Sequence, residues 1–236
     1  MRYGVRLNAR PIVAEFVGTA LLLVAVVGSG IMAQRLCGGN AGLALLANAL
    51  ATGGALIALI LAFGPVSGAH FNPAVTLADA SRGGIGWREV PGYVAAQFAG
   101  AITGVAIADL TFALPAFTAS QHVRAGTGLV ASEVLATFGL LAVIWGVGKS
   151  RPGAAPYAVA AYIVGAYWFT PSTSFANPAV TLARSLTDTF AGIRPTDVGP
   201  FILAQLLGAT LATALFAWLS PSTHVSTDLL VERASD

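Results

Sequence analysis

Charge is scarce in this sequence. Only 9% of its 236 residues are Asp, Glu, Lys or Arg, against about 25% in a typical soluble domain. Hydrophobic residues make up 56%, and the mean hydropathy is +0.77. These values exclude an ordinary soluble globular protein and indicate an integral membrane protein. The sequence also lacks a basic stripe with interleaved aromatics, so we expect no nucleic-acid partner.

Cysteine and histidine are rare as well. Cys37 is the only cysteine, which excludes an intrachain disulfide, and we interpret it as an inert loop thiol. The three histidines, His70, His122 and His224, are too dispersed to suggest a metal site. No nucleophile motif and no phosphate-binding glycine pattern is found. We therefore expect no metal, no cofactor and no catalytic residues.

Long apolar runs are abundant. A membrane-spanning helix needs about 20 consecutive, mostly apolar residues. Two further apolar segments, 72–82 and 177–187, are too short to span and follow loops rich in Pro, Gly, Ser and Thr. Paired short segments of this kind favour re-entrant half-helices. The six predicted spans are 12–34, 41–63, 91–113, 128–148, 156–170 and 199–219.

One seven-residue sequence, Asn-Pro-Ala-Val-Thr-Leu-Ala, occurs twice, at 72–78 and 177–183. Asn is a good helix cap and Pro fits the first helical position, so each copy predicts a helix start. A single transmembrane domain over residues 1–236, with repeats at about 10–113 and 128–219, accounts for both copies. Three spans per repeat is an odd number, so the halves must have opposite membrane orientations.

Orientation follows from the excess of basic residues on the cytoplasmic side of bacterial membrane proteins. With both termini inside, the inner loops carry Arg2, Arg6, Arg10, Arg82, Arg88, Lys149, Arg151 and Arg233, and the outer loops carry Arg35, Arg124, Arg184 and Arg194. Eight against four predicts cytoplasmic termini, in a bacterial inner membrane. The polar tail from Ser220 to Asp236 is predicted to be loosely ordered.

Inverted halves would bring the two half-helices together near the midplane, with their N-termini adjacent. Each N-terminus carries about half a positive charge, and each Asn amide adds a hydrogen-bond donor. Together they would repel cations and turn the oxygen of a passing water towards the asparagines. The predicted pore centre comprises Asn72, Pro73, Ala74, Asn177, Pro178 and Ala179.

Each copy of the repeat begins with Asn-Pro-Ala, at 72–74 and 177–179, and we call these segments the two boxes. Glu15 and Gln97 of the first half occupy the same places as Glu133 and Gln205 of the second. Together with the six spans, these features resemble the aquaporin, or major intrinsic protein, family over residues 10–220. The resemblance implies an all-α membrane protein: a right-handed bundle of six transmembrane helices plus two re-entrant half-helices. It also implies a homotetramer in membrane lipid, with one pore per subunit for small neutral solutes and water.

Glu15 and Glu133 are ionisable residues inside predicted spans, where such groups normally face the protein interior. Their symmetric placement favours a structural role, in which each carboxylate accepts backbone N–H bonds from a re-entrant loop, and the family resemblance implies the same. The alternative is a proton relay of the kind found in secondary transporters.

Selectivity in the resembled family rests on four residues, which here correspond to Thr52, Gly165, Ser174 and Val180. Val180 occupies the place of the usual Arg. All four side chains are small and uncharged, so we expect a wide, less polar constriction. Polyols such as glycerol, urea-like solutes and neutral metalloid acids such as As(OH)3 would then pass with water. The Val resembles bacterial members associated with arsenic detoxification, whereas glycerol channels usually have Asp where Thr181 stands.

Three further residues are candidates for lining the pore. Arg184 lies one helical turn beyond Val180 on the same face, and we interpret it as a solvated or loop-bonding residue, the alternative being a displaced pore cation. His70 is expected to line the inner mouth or to bond loop backbone, and not to bind a metal. Phe175 would narrow the pore if its ring intruded.

Passive conduction of small uncharged solutes is the predicted function. A water-selective aquaporin, with Phe175 or Arg184 restoring the constriction, is the first rival. A proton-coupled transporter using Glu15 and Glu133 is the second, and a non-conducting junction protein of the same fold is the third.

Overall fold

The structure is a computed structural model that describes residues 9–219. Those residues form eight α-helices and no strand, which confirms the predicted all-α class. The tail from Ser220 to Asp236 and three arginines of the orientation count, Arg2, Arg6 and Arg233, lie outside the described residues. The helices are α1 (Ala9–Leu36), α2 (Ala41–Ser67), α3 (Pro73–Ser81), α4 (Val90–Thr111), α5 (Thr127–Ser150), α6 (Ala155–Phe169), α7 (Pro178–Arg184) and α8 (Pro195–Leu219).

Five of these helices, α1, α2, α4, α5 and α8, are long and apolar enough to cross a membrane. The predicted span 156–170 corresponds to α6, which has 15 residues and is therefore about 22 Å long at 1.5 Å per residue. A 3₁₀ turn at Pro152–Ala154 precedes it directly, so the chain continues helically towards the end of α5.

The long helices pack as two similar groups. Helix α1 packs on α2 and α4, helix α5 packs on α6 and α8, and α2 joins the groups by packing on α6. Glycines allow the closest approaches: a Cβ at Gly100 of α4 would overlap the carbonyl oxygen of Phe16, and one at Gly208 of α8 would overlap that of Val134. Small residues serve this purpose in lipid, where burial of apolar surface does not drive association.

The two half-helices, α3 and α7, each pack between α4 and α8. Helix α3 matches the predicted segment 72–82, whereas α7 ends at Arg184, three residues before the predicted end at 187. Bonds of the i to i+3 type, from the N–H groups of Ser185 and Leu186, close the last turn of α7. Such bonds satisfy terminal carbonyls while letting the chain turn away.

Candidate functional site

Both half-helices begin at the asparagine of a repeated box. Asn72 and Asn177 have extended backbones, and a proline follows each at the first helical position. The side-chain oxygen of Asn72 accepts from the N–H of Ala74 at 2.9 Å. That of Asn177 accepts from Ala179 and Val180 at 3.0 and 3.2 Å. Each asparagine thus caps its own helix, as its residue type favours.

The same asparagines join the two halves of the protein. The amide nitrogen of Asn72 donates to the carbonyl of Ala176 at 2.7 Å, and that of Asn177 donates to the carbonyl of Phe71 at 2.7 Å. The half-helix N-termini therefore meet. An amide carries two N–H donors, so each asparagine has one left for a molecule between them.

Glu15 holds the loop that leads into α3. Its carboxylate accepts from the backbone N–H groups of His70 and Phe71 at 2.9 and 2.7 Å and from the Ser67 hydroxyl at 2.6 Å. Phe71 has a φ of 49°, in the left-handed region that side chains rarely adopt. Strain of this kind persists where surrounding bonds fix the backbone, and Glu15 provides those bonds.

Glu133 makes the equivalent contacts in the other half. Its carboxylate accepts from the N–H groups of Phe175 and Ala176, both at 2.9 Å, and from Gln205 at 2.6 Å. Ala176 has a φ of 48°, close to that of Phe71. Both carboxylates are fully buried, so these donors replace the water that the charges lose.

Two glutamines connect the carboxylates to the half-helices. Gln97 donates to Glu15 at 2.7 Å and to the Thr76 hydroxyl at 2.8 Å. Gln205 donates to Glu133 and, at 2.8 Å, to the Thr181 hydroxyl. The two halves thus repeat one network in which glutamate, glutamine and half-helix threonine support a re-entrant loop.

A cavity of about 530 Å³ runs past the meeting point of the half-helices. Asp79 of α3 and Trp145 of α5 line it on one side of the boxes, and Tyr167 of α6 and Arg184 of α7 line it on the other. Apolar side chains of α1, α2, α5 and α6 form much of its wall. Its polar lining includes both box asparagines, Thr52, His70 and Ser174.

Three of the four predicted constriction residues, Thr52, Ser174 and Val180, line this cavity; Gly165 does not. The cavity-lining residues of α6 are Ala155, Val159, Ile163 and Tyr167, spaced by four. Gly165, which has no side chain, lies two residues from that row, and its assignment to the constriction stays a prediction. Tyr167, within the row, has its hydroxyl 3.2 Å from that of Thr52.

Tyr167 adds a large side chain to the cavity lining beside the predicted constriction residue Thr52. Its phenol is buried, and its hydroxyl shares a hydrogen bond with that of Thr52 at the cavity wall. The Ser174 hydroxyl is buried without a hydrogen-bond partner among the described residues, so its donor and acceptor are free for a molecule in the cavity. Thr52, Ser174 and Val180, with Tyr167, thus present three hydroxyls and one apolar side chain to the cavity.

Phe175 lies at the cavity wall between aromatic and cationic neighbours. Its ring packs edge-on against Phe201, with centroids 5.4 Å apart. The guanidinium carbon of Arg184 is 3.5 Å from the ring centroid, and that of Arg124 is 4.9 Å away. Arg184 also donates from Nε to the carbonyl of Ala191. It therefore bonds a loop, as expected, and lines the cavity as well.

Arg124 is a buried residue that sequence reasoning treated only as an outer-loop charge. It donates to the carbonyls of Gly192 and Ser172 at 2.8 and 3.1 Å. Burial lowers the pKa of Arg124 to about 10, so the guanidinium remains charged near neutral pH. No local pattern around position 124 indicates burial, because the partners come from loops 48 and 68 residues away.

His70 lies at the opposite mouth, in the loop before α3. Its Nδ1 is 3.1 Å from the Thr76 hydroxyl, and its Nε2 is 3.7 Å from the Asp79 carboxylate. Residues 9–219 contain no group of three or more His, Cys, Asp or Glu side chains suited to a metal ion. The His70 side chain lines the cavity at this mouth.

Apolar spanning helices around a cavity that passes two joined half-helices define a transmembrane channel. A family model described as "Major intrinsic protein" matches residues 5–173. The chain belongs to the major intrinsic protein family, as its two boxes predicted.

Several curated relatives match nearly the whole chain. The chain is 54% identical over 210 residues to "Aquaglyceroporin AqpS" of Rhizobium meliloti, which covers 89% of the chain and 90% of the relative. It is 31% identical to "Aquaporin Z" of Rhodopseudomonas palustris, over 91% of the chain and 95% of the relative.

A solved structure, that of the aquaglyceroporin from Plasmodium falciparum, superposes with a TM-score of 0.69 at 23% identity, covering 92% of this chain and 97% of that one. At that identity the match establishes the fold.

Proposed function

We propose that this protein is a passive transmembrane channel for small uncharged solutes, namely glycerol-like polyols and neutral metalloid acids such as arsenous acid, together with water. The observation that carries this proposal is the cavity of about 530 Å³ between the boxes, with uncharged Val180 at its constriction. Relatives named as an aquaglyceroporin and as a probable glycerol uptake facilitator, the latter from Thermotoga maritima and 28% identical over 87% of the chain, support solutes beyond water.

The cavity wall suits solutes that have one polar and one apolar side. The hydroxyls of Thr52, Tyr167 and Ser174 offer hydrogen bonds, while Val180 and Ile163 offer apolar contact. A polyol can exchange water for those hydroxyls while its carbon chain contacts the apolar side. Passage requires no covalent step, so the protein acts without catalytic residues.

The centre of the channel would exclude cations by electrostatics. Two half-helix N-termini meet there, each with about half a positive charge, and both box asparagines direct amide donors into the same region. A water that accepts from both asparagines points its hydrogens away from the centre. That orientation interrupts a chain of hydrogen-bonded waters and so blocks proton transfer.

The rival functions are less well supported. The large Tyr167 side chain at the cavity favours the water-selective reading, but the relatives named for glycerol argue against a pore for water alone. Glu15 and Glu133, which a proton-coupled transporter would use to carry protons, each accept at least three hydrogen bonds. That suits a support for loops better than a group that releases protons in each cycle.

We also propose that the chain is a single domain of two inverted repeats and assembles as a homotetramer in the bacterial inner membrane, with both termini cytoplasmic. Large apolar side chains on the outer face, among them Leu203 and Trp218 of α8, are exposed. Lipid or a neighbouring subunit would cover such side chains.

Stopped-flow light scattering on proteoliposomes tests the proposed function. Glycerol, arsenous acid and water are compared for the parent protein and for Val180→Arg and Val180→Leu. The parent should pass glycerol or arsenous acid well above empty liposomes. Val180→Arg should suppress solute flux, and Val180→Leu, which adds bulk without charge, should reduce it less. A parent that passes water alone would refute the wide-constriction reading.

A further inference from the structure

Arg184 places a charged side chain on the side of the boxes where Tyr167 lies. No role described so far explains a charge there. It lines the cavity and is only 2% exposed. Its Nε bonds the carbonyl of Ala191, whereas neither Nη1 nor Nη2 forms a hydrogen bond with any residue in 9–219. Neither salt bridge in that part of the chain includes Arg184. A buried cation without a carboxylate partner is costly, which suggests a function at this position.

We propose that Arg184 is a specificity-determining residue that supplies the positive charge missing at position 180 and excludes cations from the channel. This inference rests on the proposed function. Arg184 follows Val180 by four residues in the helix, which places it on the same face and about 6 Å further along. The charge is displaced by one turn, so the constriction keeps its width while the approach to it remains positive.

Contacts with its neighbours fix the guanidinium at the cavity wall. Its Nε donates a hydrogen bond to the carbonyl of Ala191, and its Cζ lies 3.5 Å from the centroid of the Phe175 ring. Phe175 is itself held, since its N–H donates to Glu133 and its ring packs on Phe201. A cation over an aromatic face is stabilised by the ring quadrupole, which partly replaces the missing carboxylate.

Arg124 acts as a positioning residue behind this contact. It does not line the cavity, and its guanidinium lies 4.9 Å from the same Phe175 ring, tied to two backbone carbonyls. Its charge therefore adds to the positive potential around Phe175. Two buried cations, neither in a salt bridge with any residue in 9–219, repel a permeating cation and leave a neutral solute unaffected.

Substitutions at Arg184 test this inference in proteoliposomes. Arg184→Gln keeps a hydrogen-bonding group at the position of Nε, which bonds Ala191, and removes the charge, whereas Arg184→Lys keeps the charge. Arg194→Gln is the matched control, because Arg194 bonds Asp197 and does not line the cavity. Proton leak is measured with an internal pH dye, with valinomycin present for charge compensation. Potassium leak is measured without valinomycin by an internal potassium-sensitive dye, and glycerol flux is measured on the same vesicles.

The expected result is a rise in cation leak on the order of 10- to 100-fold for Arg184→Gln, from the loss of one charge a few ångströms from the path. Arg184→Lys and Arg194→Gln should stay near the parent, and glycerol flux should remain within about threefold in all of them. If Arg184→Gln does not fold, Phe175→Leu, which removes the supporting ring, should raise the leak by a smaller factor.

Two results would overturn the inference. One is an unchanged leak in Arg184→Gln, or in Phe175→Leu if the first variant fails, while glycerol still passes; this leaves the proposed function intact. The other is an equal rise in leak for Arg184→Gln and Arg194→Gln. A parent that passes no solute above empty vesicles would instead refute the proposed function, and the inference with it.

Discussion

Replacing Glu133 by glutamine perturbs the support of the second half-helix without changing side-chain size. The carboxylate accepts three hydrogen bonds, two from the backbone of Phe175 and Ala176 and one from Gln205. A glutamine amide has one acceptor oxygen and one donor nitrogen. Whichever way it turns, its nitrogen faces at least one donor, so at least one bond is lost and one buried N–H is left unpaired.

The loss of stability is the sum of two contributions, the lost hydrogen bond and the unpaired buried N–H. Loss of a hydrogen bond to a charged group costs about 1.5–3 kcal/mol, and an unpaired buried donor costs about 1–3 kcal/mol. Together the free energy of unfolding should fall by about 2.5–6 kcal/mol, a large share of the roughly 5–15 kcal/mol that stabilises a typical protein. At about 2–4 °C per kcal/mol for a chain of this size, the unfolding temperature should drop by about 5 °C or more.

Thermal unfolding in detergent, followed by tryptophan fluorescence, measures this drop. Glu89→Gln is the control, because Glu89 is exposed and accepts from one backbone N–H, that of Gly86. The free energy of unfolding of Glu89→Gln should stay within about 0.5 kcal/mol of the parent's. An unfolding temperature for Glu133→Gln within a degree of the parent would refute the loop-support reading. If solute uptake by the parent were driven by a pH gradient and lost in this variant, the transporter reading would replace it.

Three further predictions concern the pore and the helix contacts. Tyr167→Leu removes the phenol from the constriction and should raise flux of a larger polyol such as erythritol relative to glycerol in proteoliposomes; an unchanged ratio would place the constriction elsewhere. Asn177→Ala removes the cap of α7 and the bond to Phe71, which cost about 1 and 0.5–1.5 kcal/mol, so thermal unfolding should show a loss near 2 kcal/mol, and no loss would contradict the capping geometry. Gly208→Val should force α5 and α8 apart and reduce the folded fraction on size-exclusion chromatography, whereas Gly199→Val, with open space around its Cβ position, should not.

The sequence predicted best what depends on local chemistry. The caps at Asn72 and Asn177 follow from residue type, and the matching of Glu15 with Glu133 follows from internal repetition. Both kinds of signal are readable without knowledge of distant contacts. The helix starts at Pro73 and Pro178 therefore agree with expectation.

Features that depend on distant contacts were missed. Tyr167 lies in α6, two residues after the predicted Gly165, and its place at the cavity depends on the contact of its hydroxyl with that of Thr52, 115 residues away in sequence. Arg124 was interpreted as an outer-loop charge. Its burial could not be predicted because the carbonyls that its guanidinium bonds, those of Ser172 and Gly192, are far away in sequence.

The most direct experiment compares glycerol and potassium flux through the parent protein in one preparation of proteoliposomes. A neutral-solute channel predicts glycerol flux well above empty vesicles and potassium flux equal to that of empty vesicles. Water flux without glycerol flux, or potassium flux that matches glycerol flux, would contradict it.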